Sequence, residues 1–436
     1  MKPKELVVFL EGKRIGVLSE DSYGKHIFTY DKDAEIDAPL SLSLPRRVAP
    51  WRGKPVEAFI DGVLPDDQTM RQRIARRYDV NAGNPFSLLT AIGLDCAGGA
   101  QFVPTADVDS FNKQASLRPI TEAEIRQRLV SISDDRQASW QGVDEHWSLN
   151  GAQDKIALRF QDGQWYEAHG SAATTHIIKP GILKLHEQAF NEYVCLKAIA
   201  ALHVPVSNCE FREFAGLPAL VSERWDRKWV MNQDGDTEVI RIHQEDLCQA
   251  TGHPTAEKYQ SDGGPGATEI LSCLRINGLD AASVGLFYIA LILNFLMAGT
   301  DAHAKNYAIE EPVGERPRLA PLYDIASMFA YATQRNQRKL AMSIGGEYNW
   351  ERIELRHWRK LADTDSSGDF ELVELLLARY AATLPDAFAD AAKTARELSA
   401  GILHADKGTQ NNREKLLTRI QNGIVTQCTR VLQWFS

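Results

Sequence analysis

The run Leu-Phe-Tyr-Ile-Ala-Leu-Ile-Leu-Asn-Phe-Leu-Met-Ala over 286–298 is apolar on every side, interrupted only by Asn294. A helix that is hydrophobic all round must be buried, so this stretch predicts a helix inside a sizeable core. It is too short to span a bilayer. The chain then changes character abruptly. Thr-Asp-Ala-His-Ala-Lys-Asn at 300–306 is a polar loop, 307–309 reads as a short strand, and 319–323 reads as another that leads into Asp324. The order is buried helix, polar loop, strand, turn, strand ending in a carboxylate. It brings Asp301, Asn306 and Asp324 into one stretch of chain.

Composition narrows the setting. The 436 residues suggest two or three domains or one large two-lobed protein, and 44 % hydrophobic with 25 % charged residues is the balance of a globular chain. A net charge of -9 argues against nonspecific nucleic-acid binding by the whole surface. The six cysteines, Cys96, Cys195, Cys209, Cys248, Cys273 and Cys428, show no paired spacing. They read as reduced, buried thiols rather than metal ligands or disulfides. The N-terminus lacks a signal-peptide apolar region, and a cytoplasmic protein is expected.

Strands are expected over 6–10, 14–18 and 26–30, the first two joined by a hairpin at 11–13. A helix should begin after Pro65 with Asp66 as its cap, and another at Pro85, ending at Gly93. Residues 104–120 look like a linker. Thr121-Glu-Ala-Glu has the form of a helix-starting capping box. Further strands are expected over 155–160, 165–167, 175–179, 211–214 and 219–223, with one helix over 187–202. From about 243 the chain reads as mostly helical.

Asp301 and Asn306 have the D-x(4)-N spacing of the protein-kinase catalytic loop. In that chemistry the Asp accepts the proton of the attacking hydroxyl, the Asn binds Mg²⁺, and a second Asp holds the metal against the phosphates. Mg²⁺ is a hard cation that takes a few oxygen ligands plus substrate phosphates, so Asn306 and Asp324 are suitable types. Lys179 closes the strand pattern Thr-His-Ile-Ile-Lys; it is either a phosphate-orienting ammonium or a snorkelling strand-end lysine. Glu192, on the next helix, is its candidate ion-pair partner or a solvated glutamate. His303 is a second base or a loop-packing histidine. Lys305 neutralises a transferring phosphoryl group or caps the loop. Gly151 and Ala152, in Ser148-Leu-Asn-Gly-Ala-Gln-Asp-Lys155, either let backbone N–H groups approach phosphates or form an ordinary loop. Trp225 follows a strand and covers a base or fills the core. The basic run Arg71, Arg73, Arg76 and Arg77 reads as a solvated helix face.

Together these strings resemble the HipA family, serine/threonine-kinase toxins of bacterial toxin–antitoxin pairs. S-L-S-L-P at 41–45 and D-G-V-L-P-D at 61–66 are similar to that family's N-terminal subdomain. S-L-N-G-A-Q-D-K at 148–155, T-T-H-I-I-K at 174–179, N-E-Y at 191–193 and S-E-R-W-D-R at 222–227 resemble its small lobe. Q-E-D at 244–246, Y-Q-S-D-G-G-P-G at 259–266, T-D-A-H-A-K-N at 300–306, Y-D-I at 323–325 and K-L-A-M at 339–342 resemble its helical lobe.

The resemblance implies an α+β, two-lobed protein-kinase-like fold: a strand-rich N-terminal lobe with an extra N-terminal α/β subdomain, and an all-helical C-terminal lobe. It places the divisions at 1–110, 111–242 and 243–436. It implies ATP- and Mg²⁺-dependent transfer to a serine, with Asp301 as base and Asn306 and Asp324 as metal ligands. Lys179 would contact the phosphates and Asn150, Gly151, Ala152, Gln153, Asp154 and Lys155 would form the phosphate loop. Adenine would lie at Glu223 and Trp225, and Ser148 would be the self-phosphorylated serine. The expected protein substrate is glutamyl-tRNA synthetase, with growth arrest and persistence as the outcome. The expected partner is a HipB-like helix-turn-helix antitoxin, which carries the complex to operator DNA. A small-molecule kinase with a similar Asp–Asn–Asp set is the alternative enzyme, and a non-catalytic corepressor is the alternative from outside catalysis.

Overall fold

The computed structural model describes residues 4–133, 146–149, 151, 153–182, 185–232, 235–331, 338–364, 370–401 and 406–436. The chain divides into two compact units. The first comprises Met1–Lys179, Ser222–Glu257 and Ala308–Arg318, and the second Pro180–Val221, Lys258–Tyr307 and Leu319–Ser436.

In the first unit the strands Lys4–Leu10, Lys13–Glu20 and His26–Tyr30 form an antiparallel meander, as expected, and Ala100–Pro104 pairs on the other side of the first strand. Glu11 and Gly12 take φ of 49° and 78°. Two successive left-handed residues make the tight turn whose twist matches a hairpin. One face of the sheet buries Val7, Phe9 and Val103 against Phe111. Leu6, Val8 and Leu10 alternate to the other face and are also buried. Helices Lys54–Gly62 and Pro85–Ile92 pack on this sheet and on each other, and Gln68–Tyr78 packs on the latter. The cap of Gln68–Tyr78 is Asp67, one residue beyond the expected Asp66; its carboxylate accepts from Met70 N at 2.8 Å. Arg71 and Arg73 are buried rather than solvated. Arg71 reaches the Asp61 carboxylate at 2.7 Å and Arg73 donates to Ile132 O.

The same unit carries a second antiparallel set, Ser116–Pro119, Gln164–His169, Ile156–Gln161 and His176–Lys179, in that order. Part of the expected linker is therefore a strand. Thr121 and Glu124 form the expected reciprocal box that starts helix Glu122–Ser133, with Thr121 N donating to Glu124 Oε2 at 2.8 Å and Glu124 N to Thr121 Oγ1 at 3.3 Å. The hairpin Arg227–Met231 with Thr237–Arg241 had no clear sequence signal.

Two polar cores lock distant segments of this unit together. The first surrounds Asp95. Arg227 Nη2 and Arg241 Nη2 lie 2.8 Å from its Oδ1, and Arg224 Nη1 lies 3.4 Å from its Oδ2. Asp226 takes the other faces of Arg224 and Arg227 at 2.8 and 3.0 Å. Burial alone would raise the Asp95 carboxyl. The guanidiniums of Arg227, Arg241 and Arg224 outweigh it and hold the group well below the usual carboxylate range. The second core explains S-L-S-L-P and Q-E-D. Leu42 N donates to Glu245 Oε1 at 2.7 Å, Ser43 Oγ donates to Gln249 O at 2.7 Å, and the Tyr30 hydroxyl donates to Leu44 O at 2.5 Å. Asp246 caps helix Leu247–Thr251 in a complete capping box with Gln249. Beside them the carboxyls of Glu245 and Glu311 are buried as neighbours, which disfavours the charged form of each. Burial pushes Glu245 up to about 7 and raises Glu311 well above its ordinary value.

The second unit is built on helices Gln188–Ala201, Ala281–Met297, Phe370–Gly401 and Lys407–Leu432, the second to fourth in mutual contact and the first packed on the last two. Ala281–Met297 contains the apolar run and is buried almost throughout, capped by Asp280 onto Ser283 N at 2.8 Å. Its end is anchored by Phe295, whose carbonyl accepts from Trp350 Nε1 at 2.8 Å and whose ring packs edge-on to Trp358. The mostly helical expectation holds, with a short hairpin, Lys339–Ile344 and Glu347–Asn349, added to it.

The carboxyl pair gives a pH test. A carboxyl whose folded pKa lies above its unfolded value adds stability that is fully present below the unfolded value and is lost as pH rises through the folded one. For Glu245 that window runs from its ordinary 4.5 to about 7. Glu311→Gln, a permanently neutral partner, should raise Tm at pH 8 and leave it nearly unchanged at pH 4.5, as read by thermal melts at both pH values.

Candidate active site

In the second unit the helix Ala281–Met297 stops at Ala298, which takes the left-handed conformation with φ 53°. Gly299 follows because nothing larger fits: a Cβ there would lie 2.2 Å from Asn294 Oδ1. Asn294 is the one polar residue of the apolar run, and it organises the exit. Its side-chain Nδ2 donates to Ala290 O at 3.0 Å and to the Tyr307 hydroxyl at 3.3 Å, while its backbone carbonyl accepts from Gly299 N at 2.8 Å as an ordinary helix-end bond.

The loop then folds on itself. His303 N donates to Asp301 O at 2.8 Å, and Asn306 N donates to His303 O at 2.9 Å. Asn306 Nδ2 also donates to Asp301 O at 2.9 Å. That bond fixes the amide orientation and leaves Oδ1 as the atom Asn306 can offer a cation. Asp301 itself is exposed, while His303, Lys305 and Asn306 are buried. Its carboxylate accepts a 2.6 Å hydrogen bond from the Tyr259 hydroxyl. The Tyr259 ring stands edge-on to His303, 5.0 Å between centroids.

Asp324 is tied to the same frame. Leu322 exchanges backbone bonds with Pro205 and Ser207, each 2.9 Å, and the Tyr323 hydroxyl donates to Lys305 O at 2.8 Å. Ser327 Oγ donates to Met297 O at 2.6 Å and Met328 N to Ala298 O at 3.1 Å. Asp324 sits between these anchors with φ 57°, a left-handed conformation uncommon outside glycine that Asp and Asn tolerate best. One helix end therefore holds both Asp-bearing segments. The expected strand over 319–323 is reduced to Arg318–Leu319. Among the described residues no group of three or more His, Cys, Asp and Glu could hold a metal. The donors available are the hard oxygens of Asn306 and Asp324, which fit Mg²⁺ bound jointly by protein and phosphates rather than a closed protein cage. Glu192 is buried in this unit and accepts from Gln188 Nε2 at 3.3 Å.

The first unit holds the remaining expected residues. Lys179 ends the strand His176–Lys179 and is 8 % exposed. Ser148 is fully buried: its hydroxyl donates to Val63 O at 2.7 Å and its N–H to Asp95 O at 3.0 Å. Gly151 takes φ 101°, and its N–H donates to Asp66 Oδ1 at 3.1 Å while its carbonyl accepts from Asp66 N at 3.2 Å. A Cβ on Gly151 would meet Lys155 Nζ at 2.7 Å, so the ammonium lies over this backbone. Gln153, Asp154 and Lys155 are half-buried, and Asn150 and Ala152 lie outside the described residues. Asp66, expected as a helix cap, thus serves the Gly151 segment instead. Glu223 is exposed, and Trp225 is half-buried with its Nε1 donating to Gln244 Oε1 at 2.7 Å. Sequence reasoning did not single out Tyr259 or Asp66 for these contacts; the only signal was their place inside Y-Q-S-D-G-G-P-G and D-G-V-L-P-D.

Two family models match the chain: the HipA N-terminal domain over residues 6–103 and the HipA-like C-terminal domain over 147–396. The protein Y4mE of Sinorhizobium fredii is 34 % identical over 371 residues, covering 83 % of this chain and 86 % of that one. The serine/threonine-protein kinase toxin HipA of Shewanella oneidensis is 31 % identical over 366 residues, 80 % of each chain. The solved Shewanella oneidensis MR-1 complex of HipA, HipB and operator DNA contains a chain that superposes with a TM-score of 0.81 at 25 % identity, covering 98 % of both chains. Among the described residues no helix is long and apolar enough to cross a membrane.

Asp66→Ala removes one partner of the Gly151 clasp. It should cost about 1 kcal/mol of stability and speed amide exchange in peptides spanning 146–155, while the strand Lys4–Leu10 keeps its protection. Hydrogen-exchange mass spectrometry reads both; unchanged exchange at 146–155 would show that Asp66 does not hold the segment.

Proposed function

Since the chain belongs to the HipA family of serine/threonine-protein kinase toxins, we propose that it transfers the γ-phosphate of ATP to a serine hydroxyl of a protein of translation. Glutamyl-tRNA synthetase is the expected substrate, and Ser148 is a second, internal acceptor. Growth arrest and persistence would follow. A HipB-like antitoxin dimer would restrain the kinase and carry it to operator DNA as corepressor, a partnership for which the solved Shewanella complex is the support. The setting would be the cytoplasm. In this reading residues 1–110 form the N-terminal subdomain, 111–242 the small lobe and 243–436 the large lobe.

The observation that carries the reading is the turn of the 301–306 loop. It leaves Asp301 exposed, while Asn306 Nδ2 is committed to Asp301 O. A carboxylate that can be reached and is hydrogen-bonded on one oxygen is suited to accept a hydroxyl proton. An amide oxygen aimed by its own nitrogen is suited to a hard cation. Asn306 and Asp324 would hold Mg²⁺, which supplies charge neutralisation to the phosphates when bound. Lys179 would contact those phosphates and Lys305 would offset charge on the group in transfer. His303 packs the loop against Tyr259 and is a weaker candidate for proton transfer. Gly151, with Asn150, Ala152, Gln153, Asp154 and Lys155, would line the phosphate loop, and Glu223 with Trp225 would receive adenine.

Asp301→Asn should lower phosphoryl transfer by roughly two to four orders of magnitude with an unchanged Tm. Near-wild-type turnover by the purified variant would sink the assignment. Asp324→Ala should abolish Mg²⁺-dependent ATP binding, measured by titration with and without the metal. Phosphoproteomics after brief expression of the wild type and of Asp301→Asn should show a serine of the translation substrate, and Ser148, modified only by the wild type. The absence of phosphate on Ser148 in active protein would remove the internal acceptor from the proposal.

A further inference from the structure

Asp301 raises a positional problem. An exposed carboxylate on a loop has rotamer freedom, yet a general base must lie within hydrogen-bond reach of the proton it removes. The loop's own bonds hold the Asp301 carbonyl, through His303 N and Asn306 Nδ2, and not its carboxylate. Among the described residues, the hydroxyl of Tyr259 is the hydrogen-bond partner of that carboxylate, at 2.6 Å from Oδ1.

Tyr259 is itself held from several sides. Its ring packs edge-on against His303 at 86°. The preceding carbonyl, Lys258 O, accepts from Ala304 N at 3.3 Å, which laces this segment to the loop. The Tyr259 carbonyl accepts from Asp262 N at 3.0 Å and Gly264 N at 3.1 Å, closing the S-D-G-G turn. Gln260 Oε1 accepts from Ser343 N at 2.7 Å, which pins the turn to the strand Lys339–Ile344. The Gln260 amide also lies against Gly266, where a Cβ would come within 2.4 Å of Nε2 and displace it. All these groups belong to the second unit.

We propose that Tyr259 is a positioning residue for phosphoryl transfer: its hydroxyl holds Oδ1 of Asp301, so that Oδ2 is presented to the acceptor hydroxyl. The proposal rests on Asp301 as base. The Y-Q-S-D-G-G-P-G segment then has a mechanical purpose, to fix one phenol against one carboxylate. The bond is charge-assisted and short, the class of hydrogen bond that contributes most. No covalent step involves Tyr259, and its proton stays on the phenol throughout.

The test is Tyr259→Phe in the full chain, which keeps the ring against His303 and removes only the hydroxyl. Single-turnover transfer of labelled γ-phosphate from Mg-ATP onto protein is measured together with binding of a fluorescent ATP analogue and with Tm. The expected result is a loss of roughly 10–100-fold in transfer rate, with analogue affinity and Tm unchanged. Tyr259→Phe in the Asp301→Asn background should cost nothing further, because the group being positioned is gone. Several outcomes overturn the proposal. If Asp301→Asn is inactive but Tyr259→Phe transfers at the wild-type rate, Asp301 remains the base and the positioning role falls. A faster Tyr259→Phe means the phenol obstructs the acceptor. Parallel loss of analogue affinity and Tm means a structural role only. An active Asp301→Asn removes the base and this inference with it.

Discussion

The first unit depends on one buried carboxylate. Asp95 receives three guanidiniums, and two of them, on Arg224 and Arg227, reach back from positions about 130 residues later in the chain. Such a cluster is justified only when every charge is paired, since an uncompensated buried charge costs several kcal/mol. Here every charge has an opposite partner, and Arg227 Nε alone of the cluster's guanidinium nitrogens is buried without a hydrogen bond among the described residues. Asp226 takes the second faces of Arg224 and Arg227, Cys96 O accepts from both at 2.8 Å, and Thr174 Oγ1 donates to Asp95 at 2.7 Å. The result is a polar joint between the loop after helix Pro85–Ile92, the strand edge at Thr174 and the segment 224–241. Hydrophobic packing could join these pieces, but the directional bonds fix their register as well. Asp95 also accepts Ser148 N through its carbonyl, so the joint and the Ser148 segment share one residue.

The second unit solves a different problem with a different device. Its reactive groups are polar and its support is an apolar helix, so the chain must change environment within a few residues. The helix end does this through three features: a left-handed Ala298, a glycine that permits close approach at 299, and a buried asparagine whose side-chain Nδ2 donates to the Tyr307 hydroxyl just beyond the loop. Carbonyls 297 and 298, which the helix end leaves without intrahelical partners, are taken by Ser327 and Met328. The satisfaction of one helix terminus is thus what ties the Asp324 segment to the Asp301 segment.

Much of this was readable from the chain and some was not, for physical reasons. Strands with strong alternation and a helix with a capping box at Thr121 were legible because the signal is local. Asp66 was misassigned because Asp66 and Asp67 are adjacent and equally able to cap; only the partner at Gly151, 85 residues away, separates their roles. The hairpin 227–241 was missed because its first strand spends Arg227 on the buried ion cluster and leaves Lys228 and Trp229 exposed, so no apolar alternation marks it. Arg71 looked like surface because charge is ordinarily solvated; its burial depends on Asp61. Asn294 looked like a flaw in an apolar run and proves to organise the loop exit. Asp301, Asn306 and Asp324 could be picked out because residue type and spacing limit the chemistry, whereas Tyr259 could not, because a tyrosine's partner is a matter of tertiary geometry.

The burial of Ser148 bears on the timing of any modification there. Its hydroxyl cannot be reached while the segment is docked. Among the bonds that hold this segment, four are made by Ser148 and Gly151: Ser148 to Val63 and Asp95, and the reciprocal pair between Gly151 and Asp66. At a net contribution of about 0.5–1.5 kcal/mol each, their joint release costs roughly 2–6 kcal/mol. The accessible form is then at most on the order of one molecule in 30, so any modification of such a serine would be far slower than that of a free acceptor. The consequence is asymmetric. A dianionic phosphate cannot return to a site with no solvent exposure that offers only carbonyl acceptors to the hydroxyl. Return to this arrangement would therefore be blocked after any such modification.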